Sequence, residues 1–404
     1  MLHLIWSEDD SYKHDIFWNN IPGYQKRLGY LKENLVDESF LRNIKNPYFI
    51  YTGNGRIKSL ESIILDKDTV DKLNSTELYF YLYEPSCFRI GEHNRSFYSE
   101  MRSDENIKDI IVDELESIKI FVHQNNLKRF RVFTSDYRIQ ILQDNYPDIK
   151  IDCLDLFLRE IAKCYKSFPK YFVKHKIEKK FWCGNWRYTT HRHLMTSYLS
   201  QLNGTYTWNL KCSYNELKNN NWFDLDQFQK ERPQQHEQLR KGVDFLEKNI
   251  LAIDQKIDSV NVVNSDQVYI PGHKAPEWTQ EFLKSYESNF CAIINETRYA
   301  QPFGYFSEKT LTAIGSSMPI ILVAPPRSLE YLKTFGFTTF GKWWNESYDQ
   351  EEDHYKRMIM IFDIIDSINS KSLEELQKIY QDMRPVLKHN RRILDTITFN
   401  DKIV

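Results

Sequence analysis

The sequence predicts an α/β protein made of two units, each a mostly parallel sheet covered by helices, facing one cleft. Three observations predict this. The chain has 404 residues, about two to three domains' worth. Strand-like runs alternate with stretches of helical periodicity. The same rhythm occurs in both halves, around a boundary expected near Phe168-Pro169. Residues 1–168 form the first unit, 169–372 the second, and 373–404 a helical segment expected to pack back on the first.

The elements follow in order. Leu2 to Trp6 reads as a first strand. Leu78 to Tyr83 is a β-rich aromatic run ended by Glu84-Pro85. Ile107, Ile110, Ile111, Leu115, Ile118 and Phe121 fall at helical spacing, so residues 107–123 read as a helix. Phe130 to Thr134 is a short strand, Ile139 to Asn145 a helix and Ile149 to Leu154 a strand. In the second half, Lys180 to Cys183 is a strand, Thr190 to Leu202 a helix and Tyr206 to Asn209 a strand. Residues 213–260 are polar and largely helical. Asn289 to Ile294 and Pro319 to Val323 are buried strands, with a helix starting near Ser307 between them. Met358 to Ile368 and Leu373 to Arg384 are amphipathic helices, the second expected to stop at Pro385. In open α/β sheets, ligands sit at the carboxyl ends of the strands.

Composition excludes several classes. Hydrophobic residues are 41% and charged residues 27%, which suits a globular chain. The longest apolar stretch, Met318 to Ala324, is far short of a membrane span of about 20 residues. The N-terminus lacks the basic start and apolar core of a signal peptide. None of the six cysteines pairs at Cys-x-x-Cys spacing, so they read as buried thiols in a reducing, cytoplasmic compartment. Only seven alanines occur, none before Ala162, while Lys, Asn, Ile, Tyr and Phe abound; this AT-rich-codon signature points to a low-GC microbe or virus.

The strongest chemical signal runs from Phe290 to Pro319. A buried strand empties into a loop and Ser307 takes an N-cap position. Glu308 and Lys309 follow in the first helical turn. A helix N-terminus offers amide donors and a positive dipole end to a phosphate. Lys309 adds a point charge, and Glu308 suits a ribose diol. The same Ser-Glu-Lys is also an ordinary helix start.

Glu296, then Tyr305-Phe306-Ser307-Glu308-Lys309, then Ile314-Gly315-x-x-Met318-Pro319-Ile320-Ile321, resembles the donor-site signature of GT-B glycosyltransferases of the α-1,3-fucosyltransferase type. The stretch from Leu329 to Asp349 resembles the tail of viral and phage glycosyltransferase-like proteins, with Asn345 where that tail has an aspartate. The resemblance covers residues 180–365. It implies two Rossmann-like domains facing a cleft, the first for the acceptor and the second for a nucleotide-sugar donor, and inverting transfer to a hydroxyl. It further implies Glu308 on the ribose, Lys309 on the diphosphate, and an Arg after the first donor-domain strand, here Arg192 or Arg187. His191-Arg192-His193 also reads as a solvated helix start.

From Leu156 to Met195, ten Lys or Arg stand against only Glu160 and Glu178, a net of +8 inside a chain of net −2. The run is a solvated face, a landing field for the nucleotide-sugar, or a track for a polyanion such as duplex DNA. The acceptor hydroxyl needs a general base. Glu84, Asp136 and Asp10 each follow a first-unit strand and are the candidates. Asp224-Leu225-Asp226 matches an Asp-x-Asp metal pattern but lacks a preceding buried strand, so it reads as a helix cap or a turn; Glu351 to His354 has ligand chemistry but reads as a solvated helix start. No metal and no cofactor beyond the nucleotide-sugar co-substrate is expected. The expected activity is a cytoplasmic glycosyltransferase acting on a glycan or on a hydroxymethylated base in phage DNA. The alternative is a non-catalytic nucleotide-sugar-binding or structural protein with a degenerate site.

Overall fold

The computed structural model describes residues 3–6, 48–52, 64–75, 78–82, 88–89, 108–134, 139–153, 176–185, 189–207, 213–218, 222–249, 286–296, 299–300 and 306–396. Within them lie two parallel sheets and a short antiparallel pair.

The first sheet takes β1 (His3–Trp6), β2 (Tyr48–Thr52), β3 (Leu78–Leu82), β6 (Phe130–Thr134) and β7 (Ile151–Cys153) in the order β1-β2-β3-β6-β7, all parallel. Between β2 and β3 lies α1 (Lys67–Ser75). The strands β4 (Phe88–Arg89) and β5 (Lys108–Asp109) pair antiparallel, and α2 (Ile110–Gln124) follows directly. The helix α3 (Ile139–Asn145) joins β6 to β7. The helical period thus belongs to α2 from Ile110 onward, and Lys108 and Asp109 pair with β4 instead. The buried Phe80 ring meets Phe121 of α2 edge-on at 6.3 Å and Phe130 at 6.4 Å. Such pairs add to the apolar area that holds helix to sheet. Asn126, at φ 53°, ends α2 in the left-handed conformation that Asn tolerates at a helix C-terminus.

The second sheet has the order β11-β10-β8-β9, all parallel: β8 (Lys179–Gly184), β9 (Gly204–Thr207), β10 (Asn289–Asn295) and β11 (Ile320–Val323). All seven residues of β10 and all four of β11 are buried, as expected of strands covered on both faces. From β8 the chain first adds β9 on one side, through α4 (Thr190–Leu199). It then returns to the other side of β8 for β10, and continues to β11 through α8 (Glu308–Gly315). Winding therefore reverses between β8 and β10. Right-handed crossovers in opposite directions put α4 and α8 on opposite faces.

The helices α5 (Tyr214–Lys218), α6 (Leu225–Glu231) and α7 (Pro233–Asn249) lie between β9 and β10, and α7 packs along α4. The contact is close: a Cβ on Gly242 of α7 would fall 1.8 Å from the Ser197 carbonyl oxygen of α4. After β11 come α9 (Ser328–Thr334), a 3-10 turn at Ser347–Gln350, α10 (His354–Asn369) and α11 (Leu373–Thr396). Tyr198 of α4 stacks on Phe362 of α10 at 4.0 Å and donates its hydroxyl hydrogen to Asp366 at 2.7 Å.

One sequence expectation about the last helix is corrected. It does not stop at Arg384 but runs through Pro385 to Thr396. A proline inside a helix costs about 3 kcal/mol. The turns beyond it offset that with buried Leu387 and Leu394, a reciprocal pair of 2.7 Å bonds between the Asn390 side chain and the Thr338 backbone, and a 2.6 Å bond from Arg391 to the Gly315 carbonyl. Among the described residues it packs on α8, β10 and β8 of the second sheet.

Candidate functional site

The site grows from the carboxyl ends of β8 and β10, where the winding reverses. Two asparagines bridge these ends. Asn295 donates to the Asn185 side-chain oxygen at 3.2 Å, and Asn185 donates to Thr196 of α4 at 2.9 Å. Cys183 lies beside both amides, its thiol pushed up to about 12 by burial, so it is a neutral packing group. Cys183 and Cys291 are buried free thiols.

Past β10 the chain is clamped by the first turn of α4. His191 Nε2 donates to the Glu296 carbonyl at 2.8 Å, and Arg192 donates to the Asn295 carbonyl at 3.3 Å. That bond fixes the His191 tautomer with its proton on Nε2. Burial and the charges of Arg192 and Arg357 lower the His191 pKa to about 3, so the ring is neutral. The expectation of a solvated start at 191–193 is corrected: all ten residues of α4 are buried, because α7, α10 and the sheet enclose the helix.

The Glu296 side chain, wholly buried, reaches forward to the start of α8. One carboxylate oxygen accepts from the Ser307 amide at 2.8 Å and from the Thr310 hydroxyl at 2.6 Å; the other accepts from the Ser307 hydroxyl at 2.5 Å. Ser307 takes the N-cap position expected of it, and its oxygen accepts from the Lys309 amide at 3.3 Å. Lys309 folds back so that Nζ lies 3.3 Å from the same oxygen. Glu296 is therefore the anchor of the helix start, and its carboxylate already faces the amides that a phosphate would use there.

Beside this lies a feature the sequence did not flag. Arg357 of α10 is fully buried and among the described residues has no carboxylate partner. It donates to the Glu351 and Tyr299 carbonyls, each at 2.7 Å, and its guanidinium sits 4.4 Å from the Tyr299 ring centroid. Tyr299 in turn stacks on His191 with ring centroids 5.3 Å apart. A helical turn reading Lys356-Arg357-Met358 carries no sign of this in sequence.

The tail motif has a structural role. Asn345 accepts from the Ser347 amide at 2.9 Å, a bond that an aspartate oxygen would make equally. Glu346 accepts from Thr339 and the Phe340 amide, and the Tyr348 hydroxyl accepts from the Leu322 amide of β11. Asp349 accepts from the Leu329 and Glu330 amides at 2.8 and 3.0 Å, capping α9. Asp224 is the N-cap of α6, accepting from the Asp226 and Gln227 amides at 2.9 Å, and Asp353 caps α10. Among the described residues no group of three His, Cys, Asp or Glu side chains could hold a metal.

Two other described members of the basic stretch are used inside the fold. Lys179 donates to Thr205 at 3.1 Å, and Lys180 bonds the Asn369 carbonyl. Lys176 is exposed and pairs with Glu178. Asp10, Glu84, Asp136, Arg187 and Tyr305 lie outside the described residues, as does the side chain of Glu308. No helix among the described residues is long and apolar enough to cross a membrane.

The chain matches no protein-family model. No curated protein matches it either. Among solved structures, a T4 phage BGT mutant in complex with UDP-glucose is similar over 88% of this chain and 79% of that one, with a TM-score of 0.33 and 8% identity.

Proposed function

We propose that this protein is a nucleotide-sugar-dependent glycosyltransferase whose donor site is the carboxyl edge of the second sheet. The carrying observation is the convergence, at the reversal between β8 and β10, of two helix starts with Arg192 in the first turn of one and Lys309 in the first turn of the other. Such a crevice is where α/β sheets take ligands, and cations there favour a leaving diphosphate. Glu308 is assigned to the ribose, and Arg187 is a second candidate for the diphosphate. The first unit binds the acceptor and supplies the base, with Glu84 ahead of Asp136 and Asp10. The acceptor is a hydroxyl of a glycan or of a modified base. The internal use of Lys179, Lys180 and Arg192 leaves Lys176 as the exposed described cation of the proposed DNA track.

The test is a panel of UDP-, GDP- and dTDP-sugars assayed for release of nucleoside diphosphate, with calorimetric titration of each diphosphate. Release from at least one donor, lost in Lys309→Met, is the expected result. Binding without release from any donor would make the chain a nucleotide-sugar-binding protein, and absence of binding would overturn the donor site.

A further inference from the structure

The last helix, α11, carries its charge unevenly. From Met383 to Leu394 there are four Lys or Arg and no Asp or Glu. Arg391 is used inside the fold: it is buried, donates to the Gly315 carbonyl at 2.6 Å and pairs with Asp395 at 3.2 Å. The other three lie on the solvent side. Arg384 is half-buried, and Lys388 and Arg392 are exposed. Among the described residues none of the three pairs with a carboxylate. Arg384 donates to the Gln381 side chain at 3.1 Å, and Arg392 reaches the His389 ring at 3.5 Å. One turn earlier the pattern differs, because Asp382 neutralises Lys342 at 2.7 Å.

Arg384, Lys388 and Arg392 recur every four residues. Each therefore stands about 6 Å further along the helix axis and about 40° further round it, in a row about 12 Å long. The phosphates of one strand succeed each other about every 3.4 Å along a duplex, so the row keeps pace with every second phosphate. The helix is held firmly behind the row by buried Met383, Leu387 and Leu394 and by the paired 2.7 Å bonds between Asn390 and Thr338. The helix dipole does not account for the row. Its pull on cations is confined to the last turn, and α11 runs on to Thr396, beyond the reach of Arg384 and Lys388.

The surroundings select the partner. The exposed large apolar side chains among the described residues are Ile64, Ile120 and Ile141, none of them on α11. A helix lying on a membrane inserts such side chains, and a protein interface has an apolar centre. A phosphate backbone needs neither. The bond from Arg391 to Gly315 also fixes the place of the row. Gly315 ends α8, which starts at the candidate site, so the row lies about 12 Å away at the amino edge of the second sheet.

We propose that the C-terminal half of α11 is a docking surface for duplex nucleic acid, gripped through its phosphates by Arg384, Lys388 and Arg392. It reads no sequence, since it offers a row of charges to the backbone and no element to a groove. The surface is independent of the donor site and holds a duplex whether or not a sugar is transferred.

The test is fluorescence anisotropy of a labelled duplex of mixed sequence against the full chain at rising salt. The triple variant Arg384→Gln, Lys388→Gln, Arg392→Gln is compared with a control of equal charge change, Lys230→Gln, Lys241→Gln, Lys248→Gln, on exposed positions of α6 and α7. Glutamine keeps helix propensity, so both proteins should melt near the wild-type temperature. Wild type is expected to bind with a plot of log affinity against log salt whose slope is at least about −3 in size, and the triple variant to lose about 3 from that slope and at least about tenfold in affinity at low salt. The control is expected to bind within about twofold of wild type, and a second duplex of different sequence to bind equally. Equal binding by the triple variant and wild type overturns the surface, and so does an equal loss in the control, which would mean bulk charge alone. Tighter binding to phosphatidylserine vesicles or to polyglutamate than to duplex also overturns it. Release of nucleoside diphosphate from a nucleotide-sugar is read separately: its absence sinks the donor reading and leaves this surface standing.

Discussion

His191 of α4 donates from Nε2 to the carbonyl of Glu296 at 2.8 Å, across 105 positions of sequence. The bond needs a neutral ring with its proton on that nitrogen, and burial between Arg192 and Arg357 keeps the ring neutral.

The first prediction concerns pH. The His191 and His193 pKa values are each lowered from 6.5 to about 3, chiefly by burial. Below pH 6.5 the unfolded chain takes up protons that the folded chain refuses. The stability from the neutral rings is complete above pH 6.5 and is lost as pH falls toward 3, by up to roughly 1.4 kcal/mol per pH unit for each ring. Urea denaturation at intervals from pH 7.5 to 4 should show this fall, and His191→Gln should flatten part of it. Parallel curves for variant and wild type would refute the assignment.

Glu296→Gln should cost about 2–3 kcal/mol, because an amide in place of the carboxylate turns a donor toward the Ser307 or Thr310 donors. The same change should speed hydrogen exchange at the Ser307 and Lys309 amides while leaving Leu322 in β11 protected. A change at all three amides equally would mean global rather than local loosening.

Asp349 makes an opposing pH contribution. Burial raises its pKa from 3.8 to about 6, outweighing the two amide bonds that favour the charged form. The folded state therefore holds this proton more tightly. That contribution is complete below pH 3.8 and is lost as pH rises through 6. Asp349→Asn, which cannot ionise, should gain stability relative to wild type between pH 4 and 7, by an amount on the order of 3 kcal/mol at most. Asp349→Ala should lose the cap of α9, about 1 kcal/mol. Chemical denaturation of wild type and Asp349→Asn at the two ends of that range checks this. A stability difference that stays constant from one end to the other would show that the carboxyl does not titrate there.

Gly242→Ala should destabilise the protein by about 3 kcal/mol, since the new methyl meets the Ser197 and Ser200 region of α4 at distances real Cβ atoms do not reach. Because α4 carries His191 and Arg192, the variant should also weaken nucleoside diphosphate binding if it folds. Unchanged stability would show that α7 stands further from α4.

Much of the second sheet was legible in sequence because fully buried strands read as continuous apolar runs. Asn289–Asn295 and Ile320–Val323 differ from their expected limits by a residue at one end, and Ser307 caps where its spacing said it would. Asp224 read as a cap or a turn for lack of a strand before it, and it is the cap. The site's polarity was not. His191 and Arg192 look solvated in one dimension, and only the covering helices bury them. Arg357 gave no signal, since its partners are backbone carbonyls, which sequence does not show. Pro385 misled in the other direction: a local stop signal was overridden by tertiary bonds from Asn390 and Arg391.

The helices between β9 and β10 read in sequence as polar, rich in Gln and Glu. Yet Gln238 bonds the Tyr198 carbonyl at 2.9 Å, and Gln235 shares Asp366 with the Tyr198 hydroxyl. They form the mould against which α4 is cast. Trimming that segment to make a smaller scaffold would deform α4 from behind. Conversely, substitutions along α7 offer a way to shift α4 from behind.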